Sequence, residues 1–144
     1  MQKPKLFHIV LLLIVMTAIH FTAVSAGLYE QSVIWIDKVL HVMAGVAIAM
    51  SWLWIVRRVL KTSLENVPTI IAISSIVGFV LFIALFWEIF EFAYWKGAQE
   101  WANKFKFYSP TIVDVLSDIG SNLIGAIIFS MLATKKDKND LSKT

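Results

Sequence analysis

The chain has 144 residues, 58% of them hydrophobic, with no cysteine and a formal net charge of +3. A soluble domain of this length cannot bury that much apolar surface, so the chain reads as membrane-spanning with no room for a separate soluble domain. The missing cysteines exclude disulfides, thiolate catalysis and zinc–sulfur sites. The basic residues flank apolar runs, so they read as topology signals rather than as a nucleic-acid surface.

Leu6 to Gly27 is the first apolar run, about long enough to span. It also has the pattern of a signal peptide: a basic start, an apolar middle and Val24-Ser25-Ala26 as a cleavage site. Leu28 to Asp37 is a short polar connection. The second span runs from about Ile36 to Val56 and closes on Trp52, Trp54, Arg57 and Arg58, the signature of an interface and a cytoplasmic end. Lys61 to Val67 is a polar turn, and Pro68 suits the first turn of the next helix. Thr69 to Tyr94 is the third and longest span, with Tyr94 and Trp95 as interface anchors. In the following loop, Lys96 to Pro110, the residues Trp101, Phe105 and Tyr108 share one face of a short helix. Such a helix could lie flat in the interface; an aromatic-anchored loop is the alternative. Thr111 to Ala133 is the fourth span. The last residues are charged and read as a disordered tail.

These elements predict an all-α polytopic fold, a four-helix transmembrane bundle over residues 1–134 with a charged cytoplasmic tail at 135–144. Of the 13 lysines and arginines, nine fall at the amino terminus, the second connection and the tail: Lys3, Lys5, Arg57, Arg58, Lys61, Lys135, Lys136, Lys138 and Lys143. Lys38, Lys96, Lys104 and Lys106 fall on the other side. The positive-inside rule then puts both termini in the cytoplasm, as an even number of spans requires.

With that orientation the polar residues acquire depths. Asp37 and His41 open the second span, Glu88 and Glu91 lie near the end of the third, and Asp114, Asp118 and Asn122 open the fourth. All belong to the outer half. Within each helix they are three or four residues apart and share one face. Ser117, Ser121 and Gly125 make a neighbouring stripe of small residues that suits close helix contact. An acidic residue at mid-membrane costs roughly 2.5–3.5 kcal/mol on insertion scales, so such residues normally have a partner or a task. Hydrogen-bonding glue between helices is the bland reading. For His20, alone on the first span, a satisfied packing role is the default.

Glu88, Glu91, Asp114 and Asp118 are four in-span carboxyl groups, and the sequence shows no lysine or arginine at matching depth. The expectation is therefore that protons or a bound cation compensate them. His41, Glu88, Glu91, Asp114 and Asp118 form a ligand set suited to Mg²⁺, Mn²⁺, Ca²⁺ or Zn²⁺. Asp37 and Asn122 would complete the polar site.

The segments DKVLHVMAG, WEIFEF and DVLSDIGSNLIGA resemble the small bacterial inner-membrane proteins of the YjdF-like type, an uncharacterised family. The likeness falls on Asp37, His41, Gly45, Glu88, Glu91, Asp114, Asp118, Gly125 and Ala126. It covers spans two to four; the YjdF-like pattern carries extra amino-terminal spans. A more distant resemblance is to VanZ-like proteins, known for teicoplanin resistance, through the D-K-x-x-H opening and through Asp114, Asp118, Asn122 and Gly125. These resemblances imply a multi-pass protein of the bacterial cytoplasmic (inner) membrane. They imply no established activity.

Three functions fit the residues. The first is a divalent-metal-dependent enzyme acting at the outer leaflet on a lipid or lipid-linked cell-envelope precursor, with Glu88, Glu91 and Asp118 as catalytic residues. The Asp114–Asp118 spacing echoes lipid phosphotransferases, but the glycine-alanine-arginine part of that pattern is missing. The second is an ion- or proton-handling protein, against which the inner half offers only Ser51, Thr69, Ser74, Ser75 and Ser130 as polar steps. The third is a non-catalytic accessory protein whose polar cluster fixes the bundle.

Overall fold

The computed structural model describes residues 4–29, 34–62, 64, 67–106 and 111–141, with backbone only at 34 and 134–141. Among these residues the chain is five helices and no strand: α1 (Leu6–Ser25), α2 (Ile34–Arg58), α3 (Thr69–Gly97), α4 (Gln99–Phe105) and α5 (Ile112–Leu141). Four are long and apolar enough to cross a membrane: α1, α2 from Trp35, α3, and α5 as far as Ala133. No proline interrupts any of them. Pro68 stands directly before α3, where its carbonyl accepts from the amides of Ile71 and Ala72. At 1.5 Å per residue α3 rises about 43 Å, more than a hydrocarbon core of roughly 30 Å, so it must tilt or protrude.

Two connecting regions differ from expectation or refine it. The segment after α3 is helical from Gln99 to Phe105, with Trp101 stacked on Phe105 at 5.6 Å between ring centroids. Lys106 then ends the helix in the left-handed conformation. Tyr108 lies outside the described residues. The charged tail is not irregular where it is described, since α5 continues to Leu141. That stretch holds no glycine or proline, and lysines near a helix C-terminus meet the negative end of the macrodipole.

α2 is the central helix, packing against α1, α3 and α5. Its C-terminal half, with α3 and α5, forms the main core of Ala49, Leu53, Ile76, Val80, Ala126, Phe129 and Ala133. Trp52 stacks on Phe79 at 4.6 Å and donates its indole N–H to Ser75 Oγ at 3.1 Å. Ser51 and Ser75 spend their own hydroxyl protons on carbonyls of their own helices. The end of the bundle where α2 finishes is thus closed by apolar packing.

The α2–α5 crossing is the tightest contact in the bundle. A Cβ on Gly45 would lie 2.0 Å from the Asn122 carbonyl oxygen, and one on Gly125 would lie 2.0 Å from that of Val42. Only glycine lets the two backbones come this close. The crossing sets the distance between the first turns of α2 and α5, where the polar residues lie. α1 is the outlying helix. Its Ala23 packs with Ile36 and Leu40, while Leu6, Phe7, Val10, Leu13 and Ile14 are exposed, a face suited to lipid.

Candidate functional site

α2 and α5 begin at the end of the bundle where α3 finishes, so three helices deliver polar side chains to one level. α5 is started by Thr111, whose Oγ1 accepts from the Asp114 amide at 3.2 Å in the manner of an N-cap. Asp114 thereby sits in the first turn, where its charge meets the positive end of the macrodipole. Asp118 and Asn122 follow one and two turns later on the same face. Ser117 and Ser121 donate to the carbonyls of Asp114 and Ser117, so these hydroxyls are satisfied within α5.

The centre of the cluster is a residue that the sequence reading set aside. Lys38 Nζ donates to Asp118 Oδ1 at 2.5 Å, Asp114 Oδ1 at 2.6 Å and Asp37 Oδ2 at 3.2 Å. The expectation that no basic residue reaches the carboxyl groups is therefore corrected. By position Lys38 counts as a flanking lysine; by reach its four-carbon stem carries the ammonium inward. The one sequence signal is its place between Asp37 and His41 in the first turn of a helix. An ammonium offers three donors, and here each finds a carboxylate.

His41 stands behind this triad. Asn122 Nδ2 lies 3.0 Å from His41 Nδ1 and donates to it, because an amide nitrogen cannot accept. The imidazole proton is then on Nε2, which faces Asp118 Oδ1 at 3.5 Å and Asp37 Oδ1 at 3.8 Å. Asn122 Nδ2 also donates to the Asp118 carbonyl at 2.9 Å, which leaves Asn122 Oδ1 buried with no hydrogen-bond partner among the described residues. One potential ligand atom from each of Asp37, His41 and Asp118 lies within 4.8 Å of the others, a grouping that could hold a metal ion. The donor types suit a divalent ion. Lys38 already reaches two of the three residues, and the His41 atom that faces them carries a proton.

Of the sequence-derived residues, Asp37, His41, Asp114, Asp118 and Asn122 meet in this network. Glu88 and Glu91 come to the same end of the bundle on α3 but lie outside the three-residue grouping. Glu88 is 8% exposed, and its Oε1 has no hydrogen-bond partner among the described residues. Glu91 looks instead into a cavity of about 350 Å³ between α1, α2, α3 and α5.

The shared level of the polar residues argues, from the sequence, for a polar pocket between the helices; the apolar part of this cavity, along Met16, Ala44, Ile48 and Ile83, was not legible there. Asp37, His41, Asn122, Glu91 and Lys106 line it near the end where α2 begins. Ala44, Ile48, Ile83 and Met16 line it further along the helices. Its wall thus changes from polar to apolar along the bundle. His20 also lines the cavity and acts as a tie. Its Nε2 donates to the Phe105 carbonyl and its Nδ1 accepts from the Tyr29 hydroxyl, both at 3.0 Å. Burial, with the Asp37 and Glu91 carboxyl groups nearby, pushes the Tyr29 phenol up to about 12, so it remains a donor. The packing role expected of His20 is what it performs, between α1 and the end of α4.

No curated protein and no solved structure matches the chain. A family model described as a predicted membrane protein, DUF2238, matches residues 2–139, and the chain belongs to that family.

Proposed function

We infer that this membrane protein binds a lipid or lipid-linked cell-envelope precursor in the outer half of the bacterial cytoplasmic membrane. The observation that carries this reading is the cavity whose wall runs from polar to apolar along the bundle. It is shaped for an amphiphile, with the head beside Asp37, Glu91 and Asn122 and the chain along Ala44, Ile48 and Ile83. Asp37 and Glu91 are the carboxyl groups on the cavity wall, placed to serve as acid and base on a bound head. Asp118 and Glu88 are more buried, and Asp118 holds Lys38 beside Asp37. The finer kinship with YjdF-like and VanZ-like proteins rests on Asp37, His41, Glu88, Glu91, Asp114, Asp118 and the two crossing glycines.

Blocking the apolar part of the cavity tests the reading. Ala44→Phe should cut the lipid that co-purifies with the detergent-solubilised protein at least tenfold by native mass spectrometry. Equal lipid on wild type and variant would reject it.

The outer placement follows from the split of basic residues and has its own test. The chain has no cysteine, so Thr62→Cys and Gln99→Cys each carry a single thiol. In intact cells Gln99→Cys should react with a membrane-impermeant maleimide and Thr62→Cys should not. The reverse pattern would move the cavity to the inner leaflet.

A divalent-ion site at Asp37, His41 and Asp118 is the second reading, favoured by their spacing. It requires Lys38 to withdraw and the His41 proton to move to Nδ1, with Asn122 turning its oxygen to receive it. The metal-dependent enzyme depends on that rearrangement; the amphiphile site does not.

A further inference from the structure

The cavity has walls that pack on one another and one seam that does not. α2 packs on α1, α3 and α5, and α3 packs on α5. Among the described residues no comparable packing joins α1 to α3. Yet both helices line the cavity, each with residues one turn apart on a single face: Thr17 and Phe21 on α1, Ile83 and Trp87 on α3. Thr17, Phe21 and Trp87 are also exposed on the outside of the bundle, Phe21 and Trp87 at 44% each. A side chain that meets both the cavity and the surroundings of the bundle stands at an opening.

Each rim is held by its own side of the seam. Phe21 meets Phe105 edge-on at 5.9 Å between ring centroids. Trp87 packs against Phe90 at 5.5 Å, and Glu91 accepts from its indole N–H. The two ends of the cavity are occupied by protein. Where α2 begins, His20 bonds the Phe105 carbonyl and the Tyr29 hydroxyl and so draws the end of α4 over α1. At the other end Ile48, on the cavity wall, packs against the apolar core. Among the described residues the α1–α3 seam is the way in that remains. Thr17 comes eleven residues after Leu6 and Ile83 fourteen after Thr69. At 1.5 Å per residue these are depths of about 17 and 21 Å, near the middle of a hydrocarbon core of roughly 30 Å. A chain that enters there never leaves apolar surroundings.

Building on the amphiphile reading, we propose that the cavity is loaded sideways from the membrane, through the seam between Thr17 and Phe21 of α1 and Ile83 and Trp87 of α3. Its ligand is then a lipid resident in the bilayer rather than an amphiphile taken from water. α1 is the wall that yields, because α2 and the His20 tie hold it while its outward face meets lipid.

Tethering the seam tests this. The chain has no cysteine, so Thr17→Cys with Ile83→Cys puts one thiol on each rim. The protein, carrying unlabelled lipid, is placed in vesicles of deuterated dioleoyl phosphatidylethanolamine and dioleoyl phosphatidylglycerol. Native mass spectrometry of samples extracted over time then reads the replacement of bound lipid. Bridging the two thiols with a bis-methanethiosulfonate should slow replacement at least tenfold without lowering the amount bound. Dithiothreitol, which cleaves the bridge, should restore the rate. Ala23→Cys with Ile36→Cys ties α1 to α2, where the two already pack, and should leave the rate within twofold of wild type. Unchanged replacement across the bridged seam would overturn the portal and leave the amphiphile site standing. So would equal slowing by the α1–α2 bridge, or a Thr17–Ile83 pair that spacers of every length fail to bridge. Thr17→Trp, which needs no bridge, should slow replacement at least threefold and decides alone if the paired variant does not fold; a wild-type rate would overturn the portal. Lipid retained by none of these proteins, wild type included, would overturn the amphiphile reading and the portal with it.

Discussion

Lys38→Met should destabilise the detergent-solubilised protein more than any other single charge removal. The substitution keeps the stem and deletes the ammonium that faces Asp37, Asp114 and Asp118. Breaking a fully buried pair from one side costs about 3–5 kcal/mol, because the abandoned charge stays in low dielectric. Lys38 and two of its partners retain between a fifth and a third of their side-chain exposure, while Asp118 keeps 6%. Partial screening brings the expected loss to about 2–3 kcal/mol, on the order of 10 °C in Tm for a domain of this size. Asp118→Asn on that background should recover about half, since it removes the most buried of the abandoned charges. The same measurement separates the two cation readings. Wild-type Tm should be indifferent to Mg²⁺, Mn²⁺, Ca²⁺ and Zn²⁺, because Lys38 is the resident cation. Lys38→Met should gain a response, about 2.7 kcal/mol of stabilisation at a hundredfold excess over Kd. A wild-type Tm that rises with one of these ions, or a Lys38→Met Tm equal to that of Lys5→Met at an exposed position, would reject this account.

The second large effect lies at the α2–α5 crossing. Gly45→Ala and Gly125→Ala each drive a methyl to 2.0 Å from a backbone carbonyl oxygen of the facing helix. A side chain could rotate away from such a contact, but a carbonyl in a helix cannot, so the helices must part. Overpacking typically costs about 1–3 kcal/mol, and an unyielding backbone places these variants at or above the top of that range. The gain in helix propensity from glycine to alanine, roughly 0.5–1 kcal/mol, offsets only a part. Gly78 and Gly120 are built-in controls, because a Cβ there meets nothing within 4 Å. Gly78→Ala and Gly120→Ala should be neutral or slightly stabilising in thermal unfolding, while the crossing variants lose several degrees. The parted helices should also weaken the Lys38–Asp118 and Asn122–His41 contacts, so ligand retention should fall with Tm. Four alanine variants of equal stability would show that the crossing is not the constraint described.

Helical periodicity and hydropathy are local properties, and they determined a good deal. Four runs of apolar residues predict four long helices, and the structure has them with ends shifted by a few residues. Spacings of three and four put Asp37 with His41, and Asp114 with Asp118 and Asn122, on single helix faces. Antiparallel connection of short loops then brings those faces to one end. Where reasoning from position failed, the cause was length of side chain or rotation of a helix. Lys38 is one residue from Asp37 and reads as a boundary lysine, yet its flexible stem reaches across to α5, and no spacing rule reports where such a stem will turn. Glu88 and Glu91 share a helix and a depth with the rest, but the rotation of α3 against its neighbours leaves Glu88 buried outside the three-residue grouping and turns Glu91 to the cavity. That rotation is fixed by packing along the whole helix, from Ile76 and Val80 onward. The shared level of the polar residues argues for a pocket between helices, but the extent of the cavity and its apolar wall along Met16, Ala44, Ile48 and Ile83 depend on how four helices leave a gap, and a gap has no residue of its own to be read in a sequence. The orphaned Asn122 oxygen likewise exists only because the crossing at Gly45 and Gly125 presses α5 against α2, where His41 and the Asp118 carbonyl take up the other half of its amide.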